Sequence, residues 1–402
     1  MARLGDRLLA SVRSLRGDGR GWVLLAVAGG WFLSLGVRLI FPAILPQIRT
    51  AFGFDLTTAG TLLTGLWLAY AIGQFPGGIL GDRFGERAVL VGSTAIATVM
   101  VVLLVVAPGA TAFFVATILF GLGTGLYATT RFTVISDVFP DRDGTALGFT
   151  SSAGNLGATA LPVLAGVLAV GFGWRAGFAV LVPGFLIVLV ALRRFIPART
   201  SGTTSAVDSI SKATVRRILS GITRRSVLVG ATAMLLMSII YQGFTGFYPT
   251  YLVQMKGISE STAATVFGLF FGAGILIQPI AGAIGDRIGH KWALVGFSIG
   301  TAVGMALLPV VPGLGGVLVV TGLASLQLGF WPVAQSFVID GLPDDIQGSG
   351  FGLLRTIYLI IAAGAPAAIG ALGDAGFFDE AFLLLAAIAV LTAGLFLVVQ
   401  TD

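Results

Sequence analysis

The chain has 402 residues, of which 56% are hydrophobic and 10% are charged, and its mean hydropathy is +0.98. A soluble domain of this length has no interior large enough to bury so much apolar surface, so the composition indicates a polytopic membrane protein. Cysteine is absent, which excludes a disulfide framework, a cysteine zinc site and a thiol nucleophile. The net charge of +6 suggests either an acidic partner or basic cytoplasmic loops, and the positions of the basic residues decide between them.

Twelve apolar segments are long enough to cross the hydrocarbon core of a bilayer, which takes about 20 residues of helix. They are continuous and not alternating, which excludes a membrane β-barrel. The first is too long for a cleaved signal peptide and stays as span 1. In chain order, spans 1 to 12 are predicted at 22–46, 57–80, 88–107, 110–135, 147–170, 175–195, 227–253, 262–283, 292–311, 315–339, 350–372 and 380–399. The predicted fold class is therefore an all-α membrane protein of twelve transmembrane helices.

Basic residues are distributed unevenly over the predicted loops. Eighteen of the 24 lysines and arginines fall on the side of the two termini, three fall on the other side and three lie inside spans. Because basic loops stay in the cytoplasm, both termini are expected there, in a multi-pass protein of the inner (plasma) membrane. The basic excess is explained by this topology, so the bilayer is the expected partner and nucleic acid is not.

The longest polar interruption, at 196–226, divides the spans six and six. It predicts an N-terminal six-helix bundle at 1–195, a cytoplasmic linker at 196–226 and a C-terminal bundle at 227–402. Within the linker, the isoleucines of 207–225 fall near one face and the arginines elsewhere. This pattern predicts either an amphipathic helix on the membrane surface or a plain linker.

The two halves repeat a charged motif punctuated by glycines, 204 residues apart. The first copy consists of Gly78, Asp82, Arg83, Gly85 and Arg87. The second copy consists of Gly282, Asp286, Arg287, Gly289 and Lys291. The next loops also match, with SDVFPD at 136–141 and IDGLPD at 339–344. Two six-span halves in the same orientation predict parallel repeats about an axis along the membrane normal, a plan used by secondary transporters.

By these motifs the chain resembles the major facilitator superfamily over essentially its whole length. The pattern of glycine, aspartate, arginine, glycine and a basic residue stands between spans 2 and 3, and its weaker echo stands between spans 8 and 9. The resemblance implies two six-helix bundles that transport a solute by alternating access. It places spans 1, 4, 7 and 10 around a central cavity, spans 2, 5, 8 and 11 beside it, and the other four outside.

An enzyme is not expected from these residues. The chain has one histidine, His290 in a loop, and no nucleophile and base pair within a span. The glycine run GLGTG at 121–125 resembles a phosphate loop only superficially, since it lies in mid-membrane, and close helix packing is its predicted role. Neither a cofactor nor a metal site is expected.

The motif predicts a latch at the cytoplasmic face. Gly78 removes a side chain where helices of the two halves meet, and Asp82 sits at the positive N-terminal end of span 11. Arg87 reaches Asp137 at the inner end of span 4. Each contact contributes about 0.3 to 2 kcal/mol, weak enough to break during a transport cycle. A symmetric latch is predicted from Asp340, Arg287 and Lys291. The alternative is that these charges only determine topology and loop folding.

Three arginines lie inside predicted spans: Arg38 in span 1, Arg131 in span 4 and Arg355 in span 11. A buried arginine costs about 2.5 to 3.5 kcal/mol to insert, so each needs water, an acceptor or a ligand. Arg38 and Arg355 are predicted to bind substrate, whereas for Arg131 a snorkelling side chain or a gate salt bridge is preferred. Side chains that could complete the cavity are Tyr127, Asn155, Tyr241, Gln242, Trp331, Gln335 and Tyr358. Packing or hydrogen bonding between helices is the alternative role for each.

A cationic cavity without a carboxylate selects an anion, because guanidinium binds carboxylate or phosphate in a bidentate manner and repels cations. The sequence therefore predicts a monomeric secondary transporter for a small organic anion, a carboxylate. An arginine similar to Arg38 commonly serves the substrate in anion carriers of the superfamily. The alternative is an antiporter for drug or metabolite efflux. Two absences disfavour it, because the spans contain no carboxylate in their interior and span 5 lacks the glycine-proline pattern of the family's antiporters. A non-transporting sensor is disfavoured because the three arginines would lack a purpose.

Overall fold

The computed structural model of the protein describes residues 19–200, 220–343 and 346–398. Within these ranges the regular elements are helices, and eleven helical segments are long and apolar enough to cross a membrane. The one predicted span not among these eleven is span 9, the helix His290–Leu307, whose 18 residues begin with a histidine and a lysine. The predicted all-α membrane fold of twelve helices in two bundles is confirmed.

The first six spans form one bundle. Their bounds are Arg20–Ala43 with the short continuation Leu45–Phe52 for span 1, Leu56–Phe84 for span 2, Glu86–Val106 for span 3, Ala110–Val138 for span 4, Asp143–Phe172 for span 5, and Trp174–Ala179 with Val182–Phe195 for span 6. We call the membrane face with the start of span 1 and the end of span 12 the terminal face, and the other the opposite face.

The last six spans form the second bundle. Their bounds are Arg225–Lys256 for span 7, Glu260–Ile288 for span 8, His290–Leu307 for span 9, Gly313–Ala324 with Gln327–Gly341 for span 10, Gln347–Ala362 with Ala365–Asp374 for span 11, and Phe378–Val398 for span 12. Spans 6 and 11 restart at a proline in the first helical turn, where its missing N–H would have had no partner. Most of the predicted helix at 207–225 falls on residues 201–219, which lie outside the described residues.

The sequence repeat is also a repeat of local structure. Asp55 caps the N-terminus of span 2 and Ser259 caps that of span 8, each accepting a hydrogen bond from the amide three residues later. Gly85 and Gly289 follow spans 2 and 8 with φ of +87° and +85°. Only glycine adopts this backbone conformation without strain, so the motif glycines set the same sharp turn in both halves.

Glycines bring span 4 against span 2 at backbone distance. A methyl group on Gly121 would lie 2.3 Å from the carbonyl oxygen of Leu66, and one on Gly125 would lie 2.4 Å from that of Tyr70. The glycine run at 121–125 therefore serves close helix packing, as its sequence predicts. This packing also holds the part of span 2 that carries Tyr70.

The two bundles are in tightest contact toward the opposite face. A methyl group on Gly370 of span 11 would lie 2.2 Å from the carbonyl oxygen of Leu56 at the start of span 2. One on Gly268 of span 8 would lie 2.7 Å from the carbonyl oxygen of Thr159 in span 5. Backbone approaches this close leave no passage between the bundles at these positions.

The terminal face differs from the predicted latch. A methyl group on Gly78 would meet no atom within 4 Å, so Gly78 does not lie at a close contact between the halves. Asp137 accepts a hydrogen bond from Thr200 Oγ1 at 2.9 Å and forms no ion pair with Arg87. The conformation explains why these contacts are not made. The bundles are packed together at the opposite face, and so they are apart at the terminal face, where Gly78 was predicted to meet the other half. The side chain of Asp82 lies outside the described part, so its role stays a prediction.

The start of the linker takes the place that the latch was expected to fill. Thr200 donates its backbone N–H to Glu86 Oε2 at 2.9 Å, and Arg199 Nη2 donates to the carbonyl oxygen of Arg83 at 3.1 Å. A methyl group on Gly85 would lie 2.5 Å from the carbonyl oxygen of Ala198. The motif of the first half therefore anchors the chain that leaves span 6.

The second-half motif is arranged differently from its prediction as well. Gly282, like Gly78, has no atom within 4 Å of an added methyl group. Asp340 lies 4.0 Å from His290 Nδ1 and forms no ion pair with Arg287. Lys291 Nζ lies 5.8 Å from the ring of Trp292. Asp286, at the end of span 8, is exposed.

Gly121→Ala tests the contact between spans 2 and 4. The added methyl group must displace the backbone of span 2, so we expect the free energy of unfolding to fall by about 1 to 3 kcal/mol. Thermal unfolding of the purified protein measures the loss. Gly92→Ala is the matched control, because Gly92 lies within span 3 with no atom within 4 Å. Equal stability of the two variants would contradict the packing role.

Candidate binding cavity

A cavity of about 420 Å³ lies between the two bundles. Spans 1, 2 and 5 line it on one side, and spans 7, 8, 10 and 11 on the other. Of the ten cavity residues predicted from the sequence, the lining includes Arg38, Asn155, Tyr241, Gln242, Trp331, Gln335, Arg355 and Tyr358. The two that do not line it are Arg131 and Tyr127.

The lining residues become more buried from the terminal face toward the opposite face. Ser151 and Arg355 lie in the halves of spans 5 and 11 next to the terminal face, where Ser151 is exposed and Arg355 is partly exposed. Arg38 lies in the last third of span 1 and is only 1% exposed, and Gln242 of span 7 is 2% exposed. Arg38 therefore marks the closed end of the cavity and Arg355 lies nearer its mouth.

Aromatic rings surround the guanidinium of Arg38. Its Cζ lies 3.8 Å from the ring centre of Tyr70 and 5.3 Å from those of Trp31 and Trp67. Nε donates to the carbonyl oxygen of Ser34 at 3.1 Å, whereas Nη2 is buried without a hydrogen bond. In the described part of the chain no carboxylate pairs with this cation, so ring faces supply its stabilisation.

Arg131 lies behind Trp31 and not in the cavity. Its Cζ is 3.9 Å from the Trp31 ring centre, and Nη1 donates to Thr150 Oγ1 at 3.3 Å. Trp31 is thus a shared neighbour of the two guanidinium groups, with ring-centre distances of 3.9 Å to Arg131 Cζ and 5.3 Å to Arg38 Cζ. The gate salt bridge predicted as one alternative for Arg131 is not formed with Asp137, a described acidic residue six positions later in span 4. Arg131 therefore braces spans 1, 4 and 5.

Tyr127 is a packing residue between spans 4 and 1. Its hydroxyl donates to the carbonyl oxygen of Val27 at 2.8 Å, and the side chain is 1% exposed. A methyl group on Gly30 would lie 2.2 Å from the same hydroxyl. This is the alternative role that the sequence left open, hydrogen bonding between helices.

The second bundle contributes an aromatic wall. Trp331 stacks on Tyr358 with ring centres 6.2 Å apart, and Tyr241 meets Trp331 edge to face at 6.4 Å. Arg355 lies one turn before Tyr358 on span 11, and it has no hydrogen bond or ion pair with any part of the chain that the structure describes. An accessible guanidinium next to flat rings can hold a planar anionic group.

Amide side chains complete the lining. Asn155 Nδ2 of span 5 donates to Gln278 Oε1 of span 8 at 3.2 Å, which joins the two bundles across the cavity. Gln242 Oε1 is buried without a hydrogen bond. Gln242 stands 204 residues after Arg38, so the repeat places an amide opposite the cation. An unpaired buried amide oxygen can accept a hydrogen bond from a ligand hydroxyl.

Sequence reasoning missed the aromatic residues around Arg38. Trp31 precedes Arg38 by two helical turns and therefore shares its helix face, a signal that could have been used. Trp67 and Tyr70 lie three residues apart on span 2, which the family arrangement places beside the cavity and not around it.

The charge of the cavity is positive. Its charged lining residues are Arg38 and Arg355, and no aspartate or glutamate lines it within 19–200, 220–343 and 346–398. The same ranges contain no group of three histidine, aspartate or glutamate side chains that could hold a metal ion. The cavity is thus suited to attract an anion from the terminal face.

Comparison with known proteins agrees with this geometry. The family model of the Major Facilitator Superfamily matches residues 26–329 and 256–402. The hexuronate transporter of Bacillus subtilis (strain 168) is 25% identical over 367 residues, with 86% of each chain covered. The cis,cis-muconate transport protein of Acinetobacter baylyi is 24% identical over 353 residues, with 85% of each covered.

Solved structures share the fold at low sequence identity. The nucleoside transporter NupG superposes with a TM-score of 0.79 at 13% identity, covering 94% of this chain and 98% of that one. A bacterial homologue of the human lysosomal transporter Spinster, inward-facing and unoccupied, gives 0.78 at 14% identity, covering 94% and 96%. The predicted family is confirmed. The chain belongs to the Major Facilitator Superfamily and is a multi-pass membrane protein of this transporter family.

Proposed function

We propose that the protein transports small organic anions, carboxylates in particular, by alternating access. The observation that carries the proposal is Arg38, a guanidinium at the closed end of the cavity with no carboxylate partner among the described residues. A permanent cation in this position is stabilised most by a visiting anion, because arginine stays charged in proteins and its fork of N–H groups matches a carboxylate.

The aromatic cage limits how an anion can reach Arg38. Tyr70 covers one face of the guanidinium and the carbonyl oxygen of Ser34 accepts from Nε, so Nη2, which is buried without a hydrogen bond, remains for a ligand. A carboxylate would therefore approach end-on, along the cavity axis. Arg355, nearer the mouth, would meet the anion first or hold a second negative group.

The names of the relatives support a carboxylate substrate. Hexuronate, galactarate or D-glucarate, and cis,cis-muconate are all carboxylate anions, and these names belong to proteins that align over 85% or 86% of this chain. Identities of 24–27% do not carry a particular substrate across. The proposal therefore stops at the chemical class.

The distribution of basic residues supports an orientation with the terminal face in the cytoplasm. In that orientation the cavity opens inward and the closed end near Arg38 faces outward. The conformation would then be the inward-facing state of the transport cycle, in which a substrate is exchanged with the cytoplasm.

A second candidate is efflux of a planar organic molecule. The observation that favours it is the wall of Tyr241, Phe271, Trp331 and Tyr358, which offers apolar contact area. The two lining arginines disfavour a cationic drug, so a planar compound would have to be neutral or anionic.

A ligand screen tests the anion proposal. We expect carboxylates to raise the melting temperature of the purified protein, because a ligand that binds the folded state stabilises it by mass action. Inorganic phosphate and cationic dyes serve as comparisons in the same assay. Stabilisation by the dyes alone would overturn the anion proposal.

Arg38→Gln tests the assignment of the anion site. We expect loss of the carboxylate-induced thermal shift and about a 100-fold or greater loss of uptake into proteoliposomes, because a charge-assisted bidentate contact disappears. Arg142→Gln is the control, since Arg142 is an exposed arginine at the terminal face. Unchanged uptake by the Arg38 variant would remove that residue from the site.

Arg131→Gln separates a bracing arginine from a binding one. We expect a lower melting temperature, since Trp31 and Thr150 lose their contacts with the guanidinium, and a carboxylate dissociation constant within about threefold of the parent. Isothermal titration gives the constant. A loss of affinity as large as that of Arg38→Gln would place Arg131 in the binding site instead.

A further inference from the structure

Asp374, the last helical residue of span 11, reaches across to the other bundle. Its Oδ1 accepts from the backbone N–H of Leu56 at 2.9 Å, and its Oδ2 accepts from the N–H and the hydroxyl of Thr57 at 2.7 and 2.6 Å. These are the first residues of span 2. One carboxylate therefore caps the N-terminus of a helix that belongs to the opposite half of the molecule.

The hydrogen bonds between Asp374 and span 2 are strong, yet they can be broken when the two bundles separate. The first N–H groups of a helix have no partner within it, and the helix dipole makes them attractive to an anion. Asp55 of the same bundle satisfies the amide of Thr58, so Asp374 supplies acceptors that span 2 lacks at Leu56 and Thr57. Asp374 itself is exposed, so water can replace these acceptors when the bundles part.

A second hydrogen bond joins the same two spans. Span 11 is interrupted before Ala365, and Ala367 in the first turn of its second piece donates its N–H to Thr64 Oγ1 of span 2 at 3.2 Å. A methyl group on Gly60 would lie 2.4 Å from the carbonyl oxygen of Pro366. Contact between spans 2 and 11 at the opposite face thus depends on helix caps as well as on close packing.

We propose that Asp374 is the lock that keeps the opposite face closed and that is released once in each transport cycle. Spans 2 and 11 run antiparallel, so the sequence-predicted latch at Asp82 and this lock at Asp374 lie at the two ends of the same helix pair. Asp374 stands at the C-terminal end of span 11 and caps the N-terminus of span 2, and the sequence predicts that Asp82, near the C-terminal end of span 2, meets the N-terminus of span 11 when the terminal face closes. Engagement of one at a time would alternate access between the two faces.

Site-directed spin labels test the lock. The chain has no cysteine, so Thr111→Cys and Leu314→Cys can be labelled without background, on exposed positions of the opposite face in different bundles. When Asp374→Ala is added to this doubly labelled protein, the population with a long, open label distance should rise relative to the closed population by about three- to thirtyfold. This is the effect expected for loss of a helix cap. The measurement uses the full-length protein without a substrate, so it is independent of the anion proposal.

Two further variants make the result decisive. Asp379→Asn is the matched control, because Asp379 accepts a hydrogen bond from Tyr251 within its own bundle. It should lower the melting temperature and leave the label distances unchanged. Thr57→Val removes only the hydroxyl contact and should shift the distances in the same direction as Asp374→Ala, by less. If neither Asp374→Ala nor Thr57→Val changes the distances, Asp374 is not the lock.

Discussion

A guanidinium buried among aromatic rings, without a carboxylate partner in the described part of the chain, is the interaction around which the cavity is organised. Charged groups of this kind are costly at membrane depth, and the fold supplies only partial compensation to Arg38 through Tyr70, Trp31 and Trp67. In the function that we propose, the remaining electrostatic demand is what selects a negatively charged substrate. In this proposal the substrate class follows from the partner that Arg38 lacks among the described residues, which is a carboxylate.

The cage around Arg38 depends on how closely the helices pack. Gly121 and Gly125 let span 4 reach the backbone of span 2, which sets the position of Tyr70. Arg131 and Thr150 brace the far side of Trp31. A binding site made of ring faces is therefore determined by backbone contacts that a sequence records only as glycines. Substitutions at these glycines would therefore alter the position of Tyr70 in the cavity as well as the stability of the protein.

Spans 2 and 11 take part in closure at one face and in opening at the other. Where spans 2 and 11 meet at the opposite face, Asp374 and the approach of Gly370 to Leu56 hold the bundles together. At the terminal face a methyl group on Gly78 would meet no atom within 4 Å, and Thr200 at the start of the linker donates a hydrogen bond to Asp137. Such separate, individually weak contacts can be exchanged with small changes in free energy.

The sequence alone determined the class of the protein, the twelve spans, the two-fold repeat and eight of the twenty residues that line the cavity, because hydropathy and in-span polar residues are local properties. It offered Tyr127 as a cavity candidate with helix packing as the alternative, and the packing role is the one seen here. It also expected contacts at Gly78 and Asp137 that this conformation does not make. The tertiary structure decided which aromatic rings face Arg38, that Arg131 lies behind Trp31, and that Asp374 caps span 2. The physical reason is that these features join residues far apart in the chain and depend on which face is closed, and neither leaves a periodic pattern in the sequence.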